Sequence, residues 1–208
     1  LNVCIDSDDY MPDDAVEKIL KFWEENQSEE IAGIAALDAY ESGEVIGTTF
    51  PNDLKTSTSF DMYYKHGVCG DKKFIYKTEL TKKFPYPIFE GEKYVGLAYK
   101  YRKIDLTHKL ALMNEVVCIV EYMEDGSSRN MLKQYINNPK GFIFYRKENM
   151  KNPNGNLKYK FKECVHYVSS NFIIKNRKFI KESPLRLLTV LATPAGFCLY
   201  KYITKKTR

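Results

Sequence analysis

The sequence predicts an α/β sheet protein with flanking helices and a helical C-terminal extension. Three observations predict it. Short apolar and β-branched runs alternate with stretches of helical periodicity. The first such run, Leu1 to Ile5, breaks directly into carboxylates. From Leu157 onward the strand signals give way to a long basic amphipathic stretch and then a strongly apolar one. With 208 residues, 44% hydrophobic and 28% charged, the chain can bury a substantial core, which excludes disorder, collagen-like repeats and a disulfide-dense mini-protein.

Leu1 to Ile5 is a continuous apolar run that fits a strand buried on both faces, as in a parallel sheet. Pro12 suits the first turn of a helix, with Asp13 and Asp14 at its positive end. Ala15, Val16, Ile19, Leu20, Phe22 and Trp23 then recur at helical spacing. Ile31 to Leu37 reads as a second strand, and Glu41-Ser42-Gly43-Glu44 turns it into another around Val45-Ile46. Ser57 to Lys65 reads weakly as a helix, Gly67 to Asp71 as a tight loop, and Phe74 to Tyr76 as a short strand. Thr78 is placed to cap a short helix that Pro85 and Pro87 end. Glu92 to Lys103 reads as a helix, and Leu110 to Tyr122 as a strand or paired strands rich in valine. A helix beginning at Ser127 is expected to stop near Asn138-Pro139, ahead of a long basic helix from Leu157 to Lys181.

The five cysteines, at 4, 69, 118, 164 and 198, form none of the close pairs that zinc sites use, which favours a reducing compartment. The N-terminal region lacks a basic stretch followed by an apolar run, so no secretory signal is read there. Net charge is +5, but it is unevenly spread. Residues 1 to 30 hold ten acidic side chains against two lysines, whereas residues 172 to 208 hold nine basic side chains against the single Glu182. One end suits a cation and the other an anionic surface.

Side chains two apart in a strand point the same way, so Asp6 and Asp8 are expected to aim together from the carboxyl end of the first strand. That is where open α/β sheets bind ligands. A hard divalent cation takes one or two protein carboxylates and completes its shell with phosphates and water, which suits Mg or Mn on a diphosphate. The competing reading of so short a motif is an acidic loop. An EF-hand is excluded because Tyr10 and Met11 stand where a ligand and the turn glycine are required. His66, His108 and His166 read as structural.

Four segments carry a more specific signal: Cys4-Ile5-Asp6-Ser7-Asp8-Asp9-Tyr10-Met11; Cys69-Gly70-Asp71-Lys72-Lys73-Phe74-Ile75-Tyr76-Lys77-Thr78-Glu79-Leu80; Phe84-Pro85-Tyr86-Pro87-Ile88-Phe89-Glu90-Gly91-Glu92-Lys93-Tyr94-Val95; and Tyr122-Met123-Glu124-Asp125-Gly126-Ser127-Ser128. In type and order they resemble the family 2 glycosyltransferases of bacterial surface and capsular polysaccharide synthesis. The resemblance implies a GT-A-like mixed sheet, a UDP-linked nucleotide-sugar donor held through Mg or Mn, and inversion at the anomeric carbon. It implies that Asp8 and Asp6 serve metal and donor, and that Asp71 and Lys72 lie near the donor sugar. The family's base sits in a short acidic motif, which here reads Glu90-Gly91-Glu92-Lys93. Glu92 matches its glutamate, Lys93 stands where an aspartate is usual, and Glu90 is the reserve base. On spacing alone, the same two glutamates read equally well as first-turn helix acids.

The resemblance also implies a division into residues 1–150, the metal and acceptor part of a catalytic domain whose N-terminal nucleotide-binding strands are missing, and residues 151–208, a basic helical extension. Leu185 to Tyr200 is apolar but short for a membrane span and holds Arg186 and Pro194. It is expected to lie at an anionic membrane surface, or to pack on its own domain or a twin subunit in a homo-oligomer. A saccharide or lipid-linked acceptor and a cytoplasmic location, peripheral on the inner membrane face, follow from the first reading. No nucleic-acid recognition motif is present. The alternative function is a non-catalytic module that docks on membranes or partners through its basic C-terminal helices.

Overall fold

The computed structural model describes residues 1–122 and 130–207. The expected helix start at Ser127 and the motif residues 123–128 lie outside the described residues. The elements are β1 (Asn2–Val3), α1 (Ala15–Asn26), β2 (Ile31–Ala39), β3 (Thr56–Ser57), α2 (Ser59–Tyr64), β4 (Lys72–Tyr76), α3 (Thr78–Lys82), α4 (Ala98–Ile104) and β5 (Lys109–Ile119), then α5 (Met131–Asn137), α6 (Pro139–Met150), α7 (Leu157–Ile173), α8 (Phe179–Glu182) and α9 (Arg186–Lys206). They form two compact units, one of Leu1–Pro85 with Lys100–Met123 and one of Tyr86–Tyr99 with Glu124–Arg208. This is a different cut from 1–150 and 151–208, because α6 packs on α7.

The first unit is built on a mixed five-stranded sheet in the order β1-β4-β2-β5-β3. β2 and β5 run parallel, while β4 is antiparallel to both β1 and β2, and β3 is antiparallel to β5. β2 is buried along its whole length, and its side chains divide between two cores, with the alternation broken at the register shift beside Gly33. Ala32, Ala35 and Leu37 join Phe50, Met62, Ile104 and Leu110 on one face. Ile34 and Ala36 join Ala15 and Ile19 of α1, with Val117, on the other. The α1 stripe is therefore narrower than its apolar residues imply: Val16 and Leu20 are about half exposed.

Several expected elements are corrected. The first strand is neither parallel nor buried on both faces. β4 occupies the place beside β2, so β1 is an edge strand of two paired residues with Leu1 exposed. Pro12 precedes α1 by a turn rather than opening it, with Asp14 at the N-cap. Val45 makes a single bridge to Ala39 instead of a strand. Thr78 lies inside α3, and Lys77 holds the cap position. The helix expected from Glu92 begins only at Ala98. Ahead of it, residues 89–92 form a turn in which the Glu92 N–H donates to the Phe89 carbonyl. Gly91 supplies the positive φ of 77° that this turn needs and that other residues adopt poorly.

In the second unit, Pro139 follows the end of α5 and also opens α6 as its first residue, where the sequence predicts only a stop. The long basic helix stops at Ile173. Lys175 turns left-handed at φ 57°, and Asn176 holds the reversal through Asn171, Glu182 and the Lys178 N–H. α9 then packs against α7 around Met150, Cys164, Tyr167, Val168 and Ala192. A Cβ on Gly196 would sit 2.5 Å from the Val168 side chain, so glycine is what lets the two helices approach so closely.

Candidate functional site

The carboxyl ends of both parallel strands, β2 and β5, lie at one end of the sheet, and the segment holding Tyr10 and the loop into β4 come to the same end. Tyr10 bridges Ile119 at the end of β5, and Ala39 at the end of β2 pairs with the same residue. The loop into β4 arrives beside them, because β4 runs antiparallel to β2 with Leu37 opposite Lys72. Open α/β sheets bind ligands in this position.

Asp6 and Asp8 are at this end, but not as strand side chains. The Asp6 carbonyl accepts the Asp9 N–H at 3.0 Å, so residues 6–9 form a turn, and the alternation expected to aim the two carboxylates together does not apply. Both are exposed, and neither carboxylate is engaged in a hydrogen bond or ion pair among the described residues. Asp9 is different: its Oδ1 accepts the Glu121 N–H at 3.4 Å and its Oδ2 lies 3.6 Å from the Lys73 ammonium.

Lys73 also reaches Asp38, at 3.9 Å. Asp38 is the one charged residue of β2 and is 2% exposed, with an Oδ1 that accepts no hydrogen bond among the described residues. Burial pushes its carboxyl up to about 6 against the pull of Lys73, and Asp71 and Asp9 push the same way. Burial alone would lower the Lys73 ammonium, but Asp38, Cys118 and Asp9 outweigh it and hold it above its ordinary value. Sequence reasoning missed this pair. The available signal was a lone acid in the run Ile31-Ala32-Gly33-Ile34-Ala35-Ala36-Leu37-Asp38-Ala39, since a charge in a strand buried on both faces needs a partner.

Asp71 is exposed and accepts a 2.5 Å hydrogen bond from the Tyr122 hydroxyl, whose ring lies 6.0 Å from that of Tyr40. Burial and the Asp71 carboxylate raise the Tyr122 phenol above its usual range, so it stays a donor at neutral pH. Lys72, expected beside the donor, is instead spent on the protein. Its ammonium donates to the carbonyls of Ile46, Cys69 and Asp71 at 2.9, 2.9 and 3.0 Å, using all three N–H bonds. It clamps two loops that touch backbone to backbone at Gly47 and Gly70, where a Cβ would fall 2.2 and 2.4 Å from a carbonyl oxygen. Lys72 therefore positions Asp71 and is not available to a phosphate.

A divalent cation fits the Asp6 and Asp8 turn in one form only. Among the described residues no three His, Cys, Asp or Glu side chains gather into a metal cage. Two exposed carboxylates suit an ion that completes its shell with a diphosphate and water, not a resident structural metal.

Glu90 and Glu92 belong to the second unit. Glu90 is exposed. Glu92 caps α6 from a distance: its two oxygens accept the N–H groups of Lys140 and Gly141 at 2.9 and 2.7 Å, placing negative charge at the positive helix end. The ordinary N-cap residue, Asn138, is turned the other way, and its Oδ1 accepts from the Lys93 and Tyr94 N–H groups. Glu92 also borders an open pocket of about 290 Å³ with Tyr86, Phe89, Tyr94 and Leu97. Each carboxylate oxygen keeps a second lone pair, so proton acceptance remains open to it. Glu92→Ala is expected to cost about 1 to 2 kcal/mol in urea unfolding, with Glu92→Gln intermediate. A change within error would show that the cap carries no stability.

Comparison of the chain with protein-family models, curated proteins and solved structures finds no match.

Proposed function

We propose that this chain supplies the metal and acceptor residues of an inverting glycosyltransferase that uses a nucleotide-sugar donor. One observation carries the reading: the turn holding Asp6 and Asp8 and the Asp71 to Tyr122 pair meet at the sheet end reached by both parallel strands, where no other described residue engages the two turn carboxylates. Asp8, with Asp6, would hold Mg or Mn on the donor diphosphate, where the cation supplies positive charge against the leaving group. Asp71, fixed by Tyr122 and by the loop that Lys72 clamps, offers an acceptor oxygen to a sugar hydroxyl. Tyr40 and Tyr122 offer ring faces. An inverting transfer also needs one carboxylate to take the proton from the attacking hydroxyl, and no protein nucleophile. By the resemblance this is Glu92, with Glu90 in reserve.

The test is titration of the chain with pyrophosphate, which stands for the donor diphosphate without its nucleoside, in the presence and absence of Mn. Binding is expected to need the metal and to be lost in Asp8→Ala. Metal-independent binding, no binding, or full binding by Asp8→Ala would overturn the reading.

A further inference from the structure

The outer face of α9 has no partner among the described residues. Its inner face is packed: Thr189 and Ala192 are fully buried, Thr189 bonds Ser183 and Cys164, and Gly196 meets Val168. The opposite side carries Leu187 at 84% exposed and Leu191 at 70%, with Val190, Phe197 and Tyr202 about half exposed. Between Arg186 and Lys201 the helix has no charged residue, a stretch of roughly 20 Å at about 1.5 Å per residue. Both ends of that stretch are basic, and α9 contains no acid. Phe172 of α7 contacts the rings of Phe197 and Tyr200, so the α7 to α8 reversal, with exposed Lys175, Arg177 and Lys178, comes beside the α9 end that carries Lys201, Lys205 and Lys206.

We infer that this face docks on an anionic lipid bilayer. Leu187, Val190 and Leu191 enter the boundary between headgroups and acyl chains, while the lysines of the α9 end and the neighbouring reversal meet lipid phosphates. Charge complementarity selects this occupant over a second copy of the chain, because an equally basic surface facing it would repel. The helix lies on the bilayer and does not cross it. The uncharged stretch is shorter than a hydrocarbon core of about 30 Å. Crossing would also strip α9 from α7, breaking the bond of Thr189 to Cys164 and the contact of Gly196 with Val168. The inference is independent of the glycosyltransferase reading.

Vesicle sedimentation tests it. The full chain is expected to bind vesicles of equal parts phosphatidylcholine and phosphatidylglycerol, to leave pure phosphatidylcholine unbound, and to be released by high salt. The pair Leu187→Glu and Leu191→Glu, and separately the pair Lys201→Glu and Lys205→Glu, are each expected to weaken binding at least about tenfold. All four positions are exposed, so unchanged circular dichroism is expected and separates loss of docking from loss of fold. Absence of binding to the anionic vesicles, binding unaffected by either pair, or equal binding to neutral vesicles would overturn the proposal. So would a solution dimer that the leucine pair dissolves, since that assigns the face to a second copy.

Discussion

Arg146→Met is expected to destabilise the protein by about 3 to 5 kcal/mol, the cost of leaving a buried carboxylate without its counter-charge. Arg146 donates to Glu163 at 2.9 Å, and their side chains are only 11% and 2% exposed. Asn149 gives the same Glu163 oxygen a second hydrogen bond at 3.0 Å. Burial would lower the guanidinium's pKa, but the attraction of Glu163 outweighs it and raises it above the ordinary value. The pair is therefore costly to break but weak evidence of net stabilisation. Arg146→Met combined with Glu163→Leu, which fills the space with apolar groups, is expected to recover most of the loss. Urea unfolding followed by far-ultraviolet circular dichroism measures the double variant and both singles and yields the coupling between the two sites. A double variant as unstable as the sum of the singles would show that the residues act independently.

Asp38→Asn is expected to act in the opposite direction, stabilising the protein at pH 7 by up to about 3 kcal/mol. The folded-state carboxyl is raised to about 6 from an ordinary 3.8, so between those values the native protein holds a proton that the unfolded chain releases. Stability from this residue is full below pH ~4, falls as pH rises from there through about 6, and stays low above. Asparagine removes the window, so the difference between variant and parent should be near zero at pH 4 and grow to a plateau by pH 7. His166 titrates the other way. Burial, with Arg146 and Lys162 nearby, lowers it to about 3, so its contribution weakens as pH falls from the usual 6.5 toward that value. It is common to both proteins, and the difference isolates Asp38. A loss of stability in Asp38→Asn at pH 7 would instead show that the Lys73 pair is worth more than the burial of the charge costs.

The candidate site is legible in the sequence where chemistry follows from residue type. Two aspartates after an apolar run, and a loop ending in Asp71, both stand out, and they do share one sheet end. What misleads depends on contacts distant in sequence. Lys72 reads as a neighbour of the donor sugar until the carbonyls of Ile46 and Cys69 are placed around it. Glu92 looks like a first-turn acid of its own helix, yet it caps one that begins at Pro139. No local pattern marks a cap supplied from nearly fifty residues away.

The α/β class, most of the element types, the acidic and basic ends and the break after α3 are all written locally in the chain. They depend on periodicity, composition and proline, which act over a few residues. The sheet order that sends β1 to the edge, the meeting of Asp38 with Lys73, and the choice of which α9 face is left uncovered come from packing alone. Those depend on which surfaces meet. Ile31–Ala39 is buried on both faces whichever strand lies beside it, and the central α9 stretch is largely apolar all round, so neither segment specifies its neighbour. Close approach does: Gly33, where a Cβ would fall 1.9 Å from the Ile75 carbonyl oxygen of β4, and the Gly196 contact with Val168 fix what hydrophobicity alone leaves open.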